Sequence, residues 1–183
     1  MRIILILVAL AIVSIARPAI AAETCSATPV LAPDSSSLSI LFENLAVDAT
    51  TTATSCTISV PLNLPAGYSL GVYRVDYRGF AHLGDKDAAT LTVGYDLGPK
   101  GNGRQFKRSV RGTDTDFTFT ENIGAGQMKR VGCGVDAVLT GTFSLSLDAK
   151  GKGQLGDAMA SLDSSDGTAR RGIVYQFDLK RCQ

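Results

Sequence analysis

Apolar and polar residues alternate from Leu38 almost to the end of the chain, and this period of two constrains the fold more than any other feature. Successive side chains of a β-strand point to opposite faces, so alternation predicts strands with one buried face. The alternating segments are rich in Val, Ile, Thr, Tyr and Phe, which strands favour. They read LSILFENLAV, CTISVPLNL, YSLGVYRVDYRGFAHL, ATLTVGYDL, DFTFTE, VDAVLTGTFSLSL, AMASLD and GIVYQFDL.

Turn-forming residues separate these segments, in stretches such as LPAG, HLGDKD, GPKGNG and DAKGKG. About eight short strands with such turns, and no convincing amphipathic helix, predict an all-β fold, an antiparallel β-sandwich. The stretch DSSDG is typical of a tight hairpin turn. The connection 98–115 is predicted to be a long flexible loop.

The first 22 residues have the sequence pattern of a secretory signal peptide. Arg2 is followed by an unbroken apolar run, Ile3 to Val13, and Ala19-Ile20-Ala21 has the small-x-small form of a signal-peptidase site. The run is shorter than the roughly 20 residues that a membrane-spanning helix needs. The sequence therefore predicts a signal peptide over 1–22 and a single domain over 23–183. The expected location is secreted, either periplasmic or extracellular, with no integral membrane segment after cleavage.

Charge gives no reason to expect a nucleic-acid partner. The full chain carries 18 Lys and Arg against 17 Asp and Glu. The segment 1–22 holds two arginines and no acid, so its removal leaves 16 basic residues against 17 acidic ones. A near-neutral balance of this kind does not attract a polyanion by net charge.

All four cysteines, Cys25, Cys56, Cys133 and Cys182, follow the signal segment. An even count in a secreted chain predicts two disulfides, for which three connectivities are possible. Zinc binding is not expected, because the chain has no Cys-x-x-Cys pair and a single histidine. The loop-like surroundings of Cys25 and Cys133 favour Cys25–Cys133 and Cys56–Cys182.

The segment RVDYRGFAHL places charged residues at every second position. In one strand, the outer face would hold Arg74, Asp76, Arg78, Phe80 and His82. The core face would hold Tyr73, Val75, Tyr77, Ala81 and Leu83. This pattern predicts a solvated face on which Asp76 lies between two arginines, with a binding face as the alternative interpretation. Gly79 indicates either a bulge or a close backbone approach.

Residues for catalysis are scarce. His82 is the only histidine, and no Gly-x-Ser-x-Gly elbow accompanies it. Asp76 with Glu43 or Asp96 is the carboxylate pair that a glycoside hydrolase would need, but sites that cleave sugars usually use aromatic platforms, and the chain has no tryptophan. We therefore expect no enzyme activity and no cofactor.

Acidic turns raise the question of calcium. Hard oxygen ligands are available at Asp85, Asp87, Asp114, Asp116, Asp163 and Asp166. None of these turns has the ligand spacing of a calcium-binding loop, and aspartate is common in turns for other reasons. No metal site is predicted.

A basic segment is the first candidate binding site. GPKGNGRQFKRSVRG contains five cations: Lys100, Arg104, Lys107, Arg108 and Arg111. As a functional site it would bind an acidic glycan or envelope polymer, and otherwise it is a soluble loop held open by charge repulsion. The second candidate is the face that carries Arg74, Asp76, Arg78 and His82.

Several stretches together resemble the domain-of-unknown-function family 4360, small secreted proteins of bacteria and filamentous fungi. They are APDSSSLSILFENL, SCTISVPLNLPAGYSL, VDYRGFAHL, VGCG, SLDSSDG and the closing strand that ends at Cys182. Leu179 stands where members often have tryptophan, and Val131-Gly132 stands where Ser-Pro is common. The resemblance implies a secreted, disulfide-bonded β domain and no established activity.

The leading functional hypothesis is therefore an exported, non-catalytic β-sandwich that acts by surface binding at the cell envelope or outside the cell. A small carboxylate-dependent secreted hydrolase is one alternative. An inhibitor or effector-like secreted protein is another, since a rigid sandwich displays its loops well.

Overall fold

The alternating segments form strands in the computed structural model, which describes residues 25–98, 103–149, 156–162 and 172–183. The predicted signal peptide 1–22 and the predicted DSSDG turn lie outside these residues. The described residues form twelve strands. Their bounds are β1 Ala27–Leu31, β2 Ser37–Phe42, β3 Ala46–Asp48, β4 Ala53–Pro61, β5 Tyr68–His82, β6 Asp87–Leu97, β7 Arg104–Arg111, β8 Asp114–Asn122, β9 Arg130–Gly132, β10 Val138–Ala149, β11 Met159–Ser161 and β12 Gly172–Arg181.

The strands make two sheets, and every pairing between them is antiparallel. The larger sheet has eight strands, with the order β1-β2-β12-β5-β11-β3, while β8 and β9 pair with the other edge of β5. The smaller sheet has the order β4-β10-β6-β7. The predicted all-β antiparallel sandwich is confirmed. The long strand β5 organises the larger sheet, because four other strands pair with it.

The core lies between the two sheets and is continuous. Phe42 of the larger sheet meets Phe143 of the smaller one edge to face, with ring centroids 5.0 Å apart. Tyr175 meets Tyr95 in the same way at 5.7 Å, and its hydroxyl donates to the Gly94 carbonyl at 3.3 Å. A buried tyrosine hydroxyl needs such a partner, so this bond removes the cost of placing it in the core.

The prediction for β5 was right at most positions and wrong at Tyr73. Val75, Tyr77, Ala81 and Leu83 are buried as expected, but 40% of the Tyr73 surface is exposed. The register explains the difference, because Arg74 pairs with Gln176 while Val72 pairs with Phe177. Tyr73 is therefore the extra residue of a bulge, which changes the face on which it lies.

Gly79 allows a close backbone approach and is not the site of the bulge. β5 pairs with β8 in unbroken register from Arg78 to Phe80. A Cβ atom at Gly79 would collide with the carbonyl oxygen of Ser161 and would lie 2.5 Å from Phe117 Cζ. Of the two interpretations of this glycine, the close approach is the correct one.

Three strands were not predicted: β1, β7 and β9. The most consequential is β7, because its eight residues lie within the connection 98–115 that was expected to be a flexible loop. It pairs with β6 from Arg104 to Arg111. Phe106 and Val110, two positions of the same face, pack against the core. The alternation was obscured because Arg104 and Arg108 occupy the other two positions of that face.

The two disulfides form, but the favoured connectivity was wrong. The bonds are Cys25–Cys56 and Cys133–Cys182. Cys133 follows β9 and Cys182 follows β12, and these strands flank the start of β5 on its two sides. The Cys133 amide donates to the Tyr68 carbonyl at 3.0 Å, and the Cys182 amide donates to the Gly67 carbonyl at 2.8 Å. Pairing with the same end of β5 therefore brings the two cysteines together, whatever their local composition.

Peptide mapping of the unreduced protein should recover Cys25 linked to Cys56 and Cys133 linked to Cys182, with no alkylatable thiol. The sequence separations are 31 and 49 residues, so each bridge should stabilise the fold by about 3–4 kcal/mol through loop closure. Reduction should therefore lower the melting temperature substantially. A peptide that joins Cys25 to Cys133 would contradict this framework.

Tyr77→Ala should destabilise the protein by about 3–5 kcal/mol, because the side chain is 1% exposed and its removal leaves a cavity. Arg78→Ala, its neighbour on the exposed face, should cost about 0.5 kcal/mol or less. Urea unfolding of the two variants measures the difference. Equal or reversed costs would mean that the register of β5 is wrong.

Candidate functional site

The cations of the basic segment, the first predicted binding site, do not form one surface. Lys100 lies outside the described residues, and the other four alternate along β7. Arg104 and Arg108 share the inward face with Phe106 and Val110. Lys107 and Arg111 point to the outer, exposed face of the smaller sheet.

Arg108 is used to join the two sheets. Its Nε and Nη2 atoms each donate to Glu121 of β8, at 2.7 Å, and Tyr77 of β5 donates its hydroxyl to the same carboxylate. Burial and the bond to Glu121 raise the pKa of Tyr77, and the Glu121 carboxylate raises the pKa of Arg108. Glu121 is buried, so removing Arg108 would leave a carboxylate in the core without its counter-ion.

The outer face of the smaller sheet is covered by hydroxyl groups, and we call it the hydroxyl face. It consists of Ser55, Thr57 and Ser59 of β4, Thr140, Thr142, Ser144 and Ser146 of β10, Thr90 and Thr92 of β6, and Gln105, Lys107, Ser109 and Arg111 of β7. The register places these residues in rows across the four strands. Two rows matter here: Thr57–Thr142–Gly94–Gln105 and Ser55–Ser144–Thr92–Lys107.

A shallow depression of about 180 Å³ lies within the hydroxyl face. Its lining is Ser55, Cys56, Thr57, Thr92, Gln105, Thr142, Phe143 and Ser144. Gly94 contributes to its shape, since a Cβ atom there would meet Thr142 Oγ1 at 2.5 Å. The lining contains no ionisable side chain, and Lys107 lies beside Thr92 at its border. This surface offers neutral donors and acceptors with one cation next to them.

The second predicted candidate, the outer face of β5, is an ion-paired network. Asp76 pairs with Arg74 at 2.8 Å, while Arg78 is exposed. Asp76 is only 7% exposed and also accepts hydrogen bonds from Thr120 at 2.6 Å and from Gln176 at 3.0 Å. Burial by itself would raise the pKa of Asp76, but the bonds from Arg74 and Thr120 and the charge of Arg74 outweigh it and lower the pKa.

His82 lies at the end of this face and bridges two carboxylates. Its Nδ1 atom is 3.1 Å from Asp114 of β8, and its Nε2 atom is 3.2 Å from Asp157. The hydrogen bonds to Asp114 and then to Asp157 raise the pKa of His82, because both favour the protonated ring.

The carboxylates considered for hydrolysis are not brought together. Asp76 aligns through Val174 with Ser39, four residues before Glu43. Asp76 lies on β5 of the larger sheet and Asp96 on β6 of the smaller one. Glu43, in the turn after β2, accepts a hydrogen bond from Ser26 at 2.5 Å. Among the described residues, no three His, Cys, Asp or Glu side chains are grouped so that they could hold a metal ion. No helix formed by these residues has the length and apolar character to cross a membrane.

Two features were missed in the sequence. Tyr73 was assigned to the core, although the apolar positions of β5 change parity between Val72 and Val75, which signals the bulge that turns Tyr73 outward. The hydroxyl face also had a signal. The polar members of the alternation in CTISV, TLTV and TFSLS are almost all serine or threonine.

These features define a disulfide-bonded antiparallel β-sandwich with one hydroxyl-rich and one ion-paired outer face. A protein-family model, "Domain of unknown function (DUF4360)", matches residues 23–182. The chain belongs to this family.

Solved structures provide weaker similarities. A structure of TmCBM61 in complex with β-1,4-galactotriose matches with a TM-score of 0.35 and 17% identity, over 85% of this chain and 81% of that one. A structure of rhinovirus-B5 matches with a TM-score of 0.35 and 10% identity, over 76% of this chain and 67% of that one. The enzymatically active domain of bacteriophage CBA120 tailspike protein 4 matches with a TM-score of 0.35 and 11% identity, over 85% of this chain and 18% of that one. A search of curated protein sequences gave no significant match.

His82→Gln should destabilise the protein more at pH 5.5 than at pH 9. The pKa of His82 is raised in the folded state, so its stabilisation is fully present below the unfolded value of about 6.5 and is lost as the pH rises through the folded value. Urea unfolding of both proteins at the two pH values measures this. A difference in unfolding free energy that does not change with pH would contradict the double pairing.

Proposed function

We propose that this protein is an exported, non-catalytic glycan-binding protein and that an acidic glycan lies across its hydroxyl face. The observation that carries the proposal is the position of Lys107 beside a depression lined by hydroxyl and amide groups. Sugars present hydroxyl groups that both donate and accept hydrogen bonds. Serine, threonine and glutamine side chains offer the same two functions.

The depression favours a sugar unit over a larger apolar ligand. At about 180 Å³ it is smaller than the usual pocket for a drug-sized molecule, and it is open to solvent on a sheet surface. Each hydrogen bond exchanged with water contributes only about 0.5–1.5 kcal/mol net. Useful affinity therefore requires a chain that contacts several rows at once, as a polysaccharide does.

Charge supports an acidic chain. Lys107 and Arg111 lie four residues apart on β7, which corresponds to about 13 Å along the strand. Two acids, Asp96 and Asp148, also lie on exposed positions of this sheet. Lys107 pairs with Thr92 of β6, whereas Asp148 pairs with Ala88 and Asp96 is itself a residue of β6. Each acid is therefore four residues, or two rows, away from Lys107 along β6. Lys107 is therefore the cation best placed to meet a carboxylate or sulfate group of the glycan.

The rest of the proposal concerns location and chemistry. Export is supported by the predicted signal peptide and by two disulfides, which persist in oxidising compartments. A non-catalytic role is supported by the placement of Asp76 and Asp96 on different sheets. These observations favour binding over the carboxylate-dependent hydrolase considered from the sequence.

The test is retention of the mature protein on heparin and on alginate across a salt gradient. Lys107→Ser combined with Arg111→Ser should weaken binding about tenfold, because each exposed charge contact is worth up to about 1 kcal/mol and is screened by salt. Stability should be unchanged, since both side chains are exposed.

A matched control removes two other exposed cations, Lys129 and Lys180, by the same substitutions. This control has the same net charge and should be retained like the wild type. If the control loses as much affinity as Lys107→Ser with Arg111→Ser, binding follows net charge and the hydroxyl face is not the site. Arg108 is not suitable for this test, because its loss would disturb Glu121 in the core.

A further inference from the structure

Tyr73 is an aromatic side chain that the backbone turns out of the core. Leu70 and Val72 before it and Val75 and Tyr77 after it are all buried, although the number of residues between them does not preserve alternation. The bulge against β12 absorbs the extra residue. On the other side of β5 the Tyr73 carbonyl accepts a hydrogen bond from the Ile123 amide at 2.7 Å, so the bulge is held from both sides.

A hydrogen-bonded network fixes the Tyr73 ring. Its hydroxyl donates to Gln176 Oε1 at 2.7 Å, and Gln176 Nε2 donates to Asp76 Oδ2 at 3.0 Å. Asp76 Oδ1 accepts from Arg74 Nε at 2.9 Å and from Thr120 Oγ1 at 2.6 Å. We call these five residues the Tyr73 site. The buried Asp76 carboxylate is its centre, and the bonds it accepts hold both the ring and the guanidinium in place before any ligand arrives.

The surroundings of Tyr73 distinguish the class of ligand. A protein-docking surface presents a contiguous apolar patch, but the register neighbours of the bulge are polar: Arg74 lies opposite Asn122 on one side and opposite Gln176 on the other. Ser37 follows in the same row. One exposed aromatic ring surrounded by planar hydrogen-bonding groups suits a flat ligand with an apolar face and a polar rim.

We propose that the Tyr73 site binds a neutral sugar ring of a glycan chain. The C–H face of the sugar would stack on Tyr73. Within the part of the chain that the structure describes, Arg74 bonds Asp76 through Nε and Nη2, which leaves Nη1 to donate to a sugar hydroxyl. A neutral sugar fits better than an acidic one here, because the Asp76 charge already balances that of Arg74.

This site is independent of the hydroxyl face. The inner faces of the two sheets meet in the core, so their outer faces point in opposite directions. The Tyr73 site lies on the larger sheet and the hydroxyl face on the smaller one. A protein with both sites can hold two glycan chains at once and so bridge them.

The experiment is affinity electrophoresis of the mature protein in gels that contain laminarin, xyloglucan, galactomannan or galactan. The wild type should be retarded in at least one of them. Tyr73→Ala should lower the affinity at least tenfold in that gel. Tyr73→Phe is the matched control: it keeps the ring, loses only the bond to Gln176, and should retain most of the binding.

A second measurement does not depend on any variant. The chain has five tyrosines, so tyrosine-labelled protein gives few ring signals in a carbon–proton NMR spectrum. Addition of the retarding glycan should shift the Tyr73 ring signals and leave those of buried Tyr77 and Tyr175 unchanged.

The inference is overturned if no neutral glycan retards the wild type, if Tyr73→Ala binds as tightly as the wild type, or if the Tyr73 signals do not move. A change in oligomeric state that Tyr73→Ala abolishes, without glycan binding, would also overturn it in favour of a protein contact. Lys107→Ser with Arg111→Ser should leave neutral-glycan binding intact. That variant should lose heparin retention, whereas Tyr73→Ala should keep it. The two results test the hydroxyl face and the Tyr73 site separately.

Discussion

The pairing of β5 with β12 is the interaction on which the rest of the larger sheet depends. It places β12 in the middle of the sheet, between β2 and β5, so β1 and β2 are joined to the rest of the sheet through β12. Tyr77 and Tyr175, two of the largest fully buried side chains, come from these two strands. The same pairing carries the bulge at Tyr73 and ends where Cys182 meets Cys133. One ladder of hydrogen bonds thus fixes the core, an exposed aromatic ring and a disulfide.

The contact of Arg108 with Glu121 has a different role, because it connects the two sheets at one edge of the sandwich. A buried carboxylate that accepts two bonds from a guanidinium and one from a tyrosine hydroxyl is satisfied only in this arrangement. Such a pair need not add much net stability, since desolvation of the charges offsets their attraction. It does place Arg108 of β7 directly against Glu121 of β8. The consequence for function is that Arg108, which looks like a free surface cation in the sequence, has two of its donor groups committed to Glu121.

The sequence predicted the fold where alternation was clean. β2, β6, β10 and β12 have apolar residues at nearly every second position, and the core residues of these strands were recognised for that reason. β7 was missed because its inward face includes Arg104 and Arg108, so half of the apolar signal is absent. The disulfide pairing could not be predicted from local composition. It depends on which strands flank β5, and that is a property of the whole sheet.

The candidate sites show the same division. Lys107 and Arg111 were named from the sequence, but their separation from Arg104 and Arg108 required the knowledge that β7 is a strand. Tyr73 was placed in the core because strict alternation was assumed along β5, although the buried residues Val72 and Val75 are three positions apart, which is the signal of the extra residue. Local patterns therefore predict the polar positions but not always their exposure, since Asp76, predicted on a solvated face, is only 7% exposed. Which of them act together is decided by register.

The two outer faces differ in how much desolvation and side-chain ordering a ligand must cause on binding. On the hydroxyl face most side chains are neutral and are exposed or half-buried, so a ligand displaces water from groups that lose little by exchanging partners. On the Tyr73 site the expensive step, burial of the Asp76 carboxylate, is completed during folding, because Arg74, Thr120 and Gln176 already satisfy it. A ligand there meets a ring and a guanidinium whose positions are already fixed, and it does not have to order them. The first arrangement suits a long chain held by many weak contacts, and the second suits a single sugar ring held by a few well-placed ones.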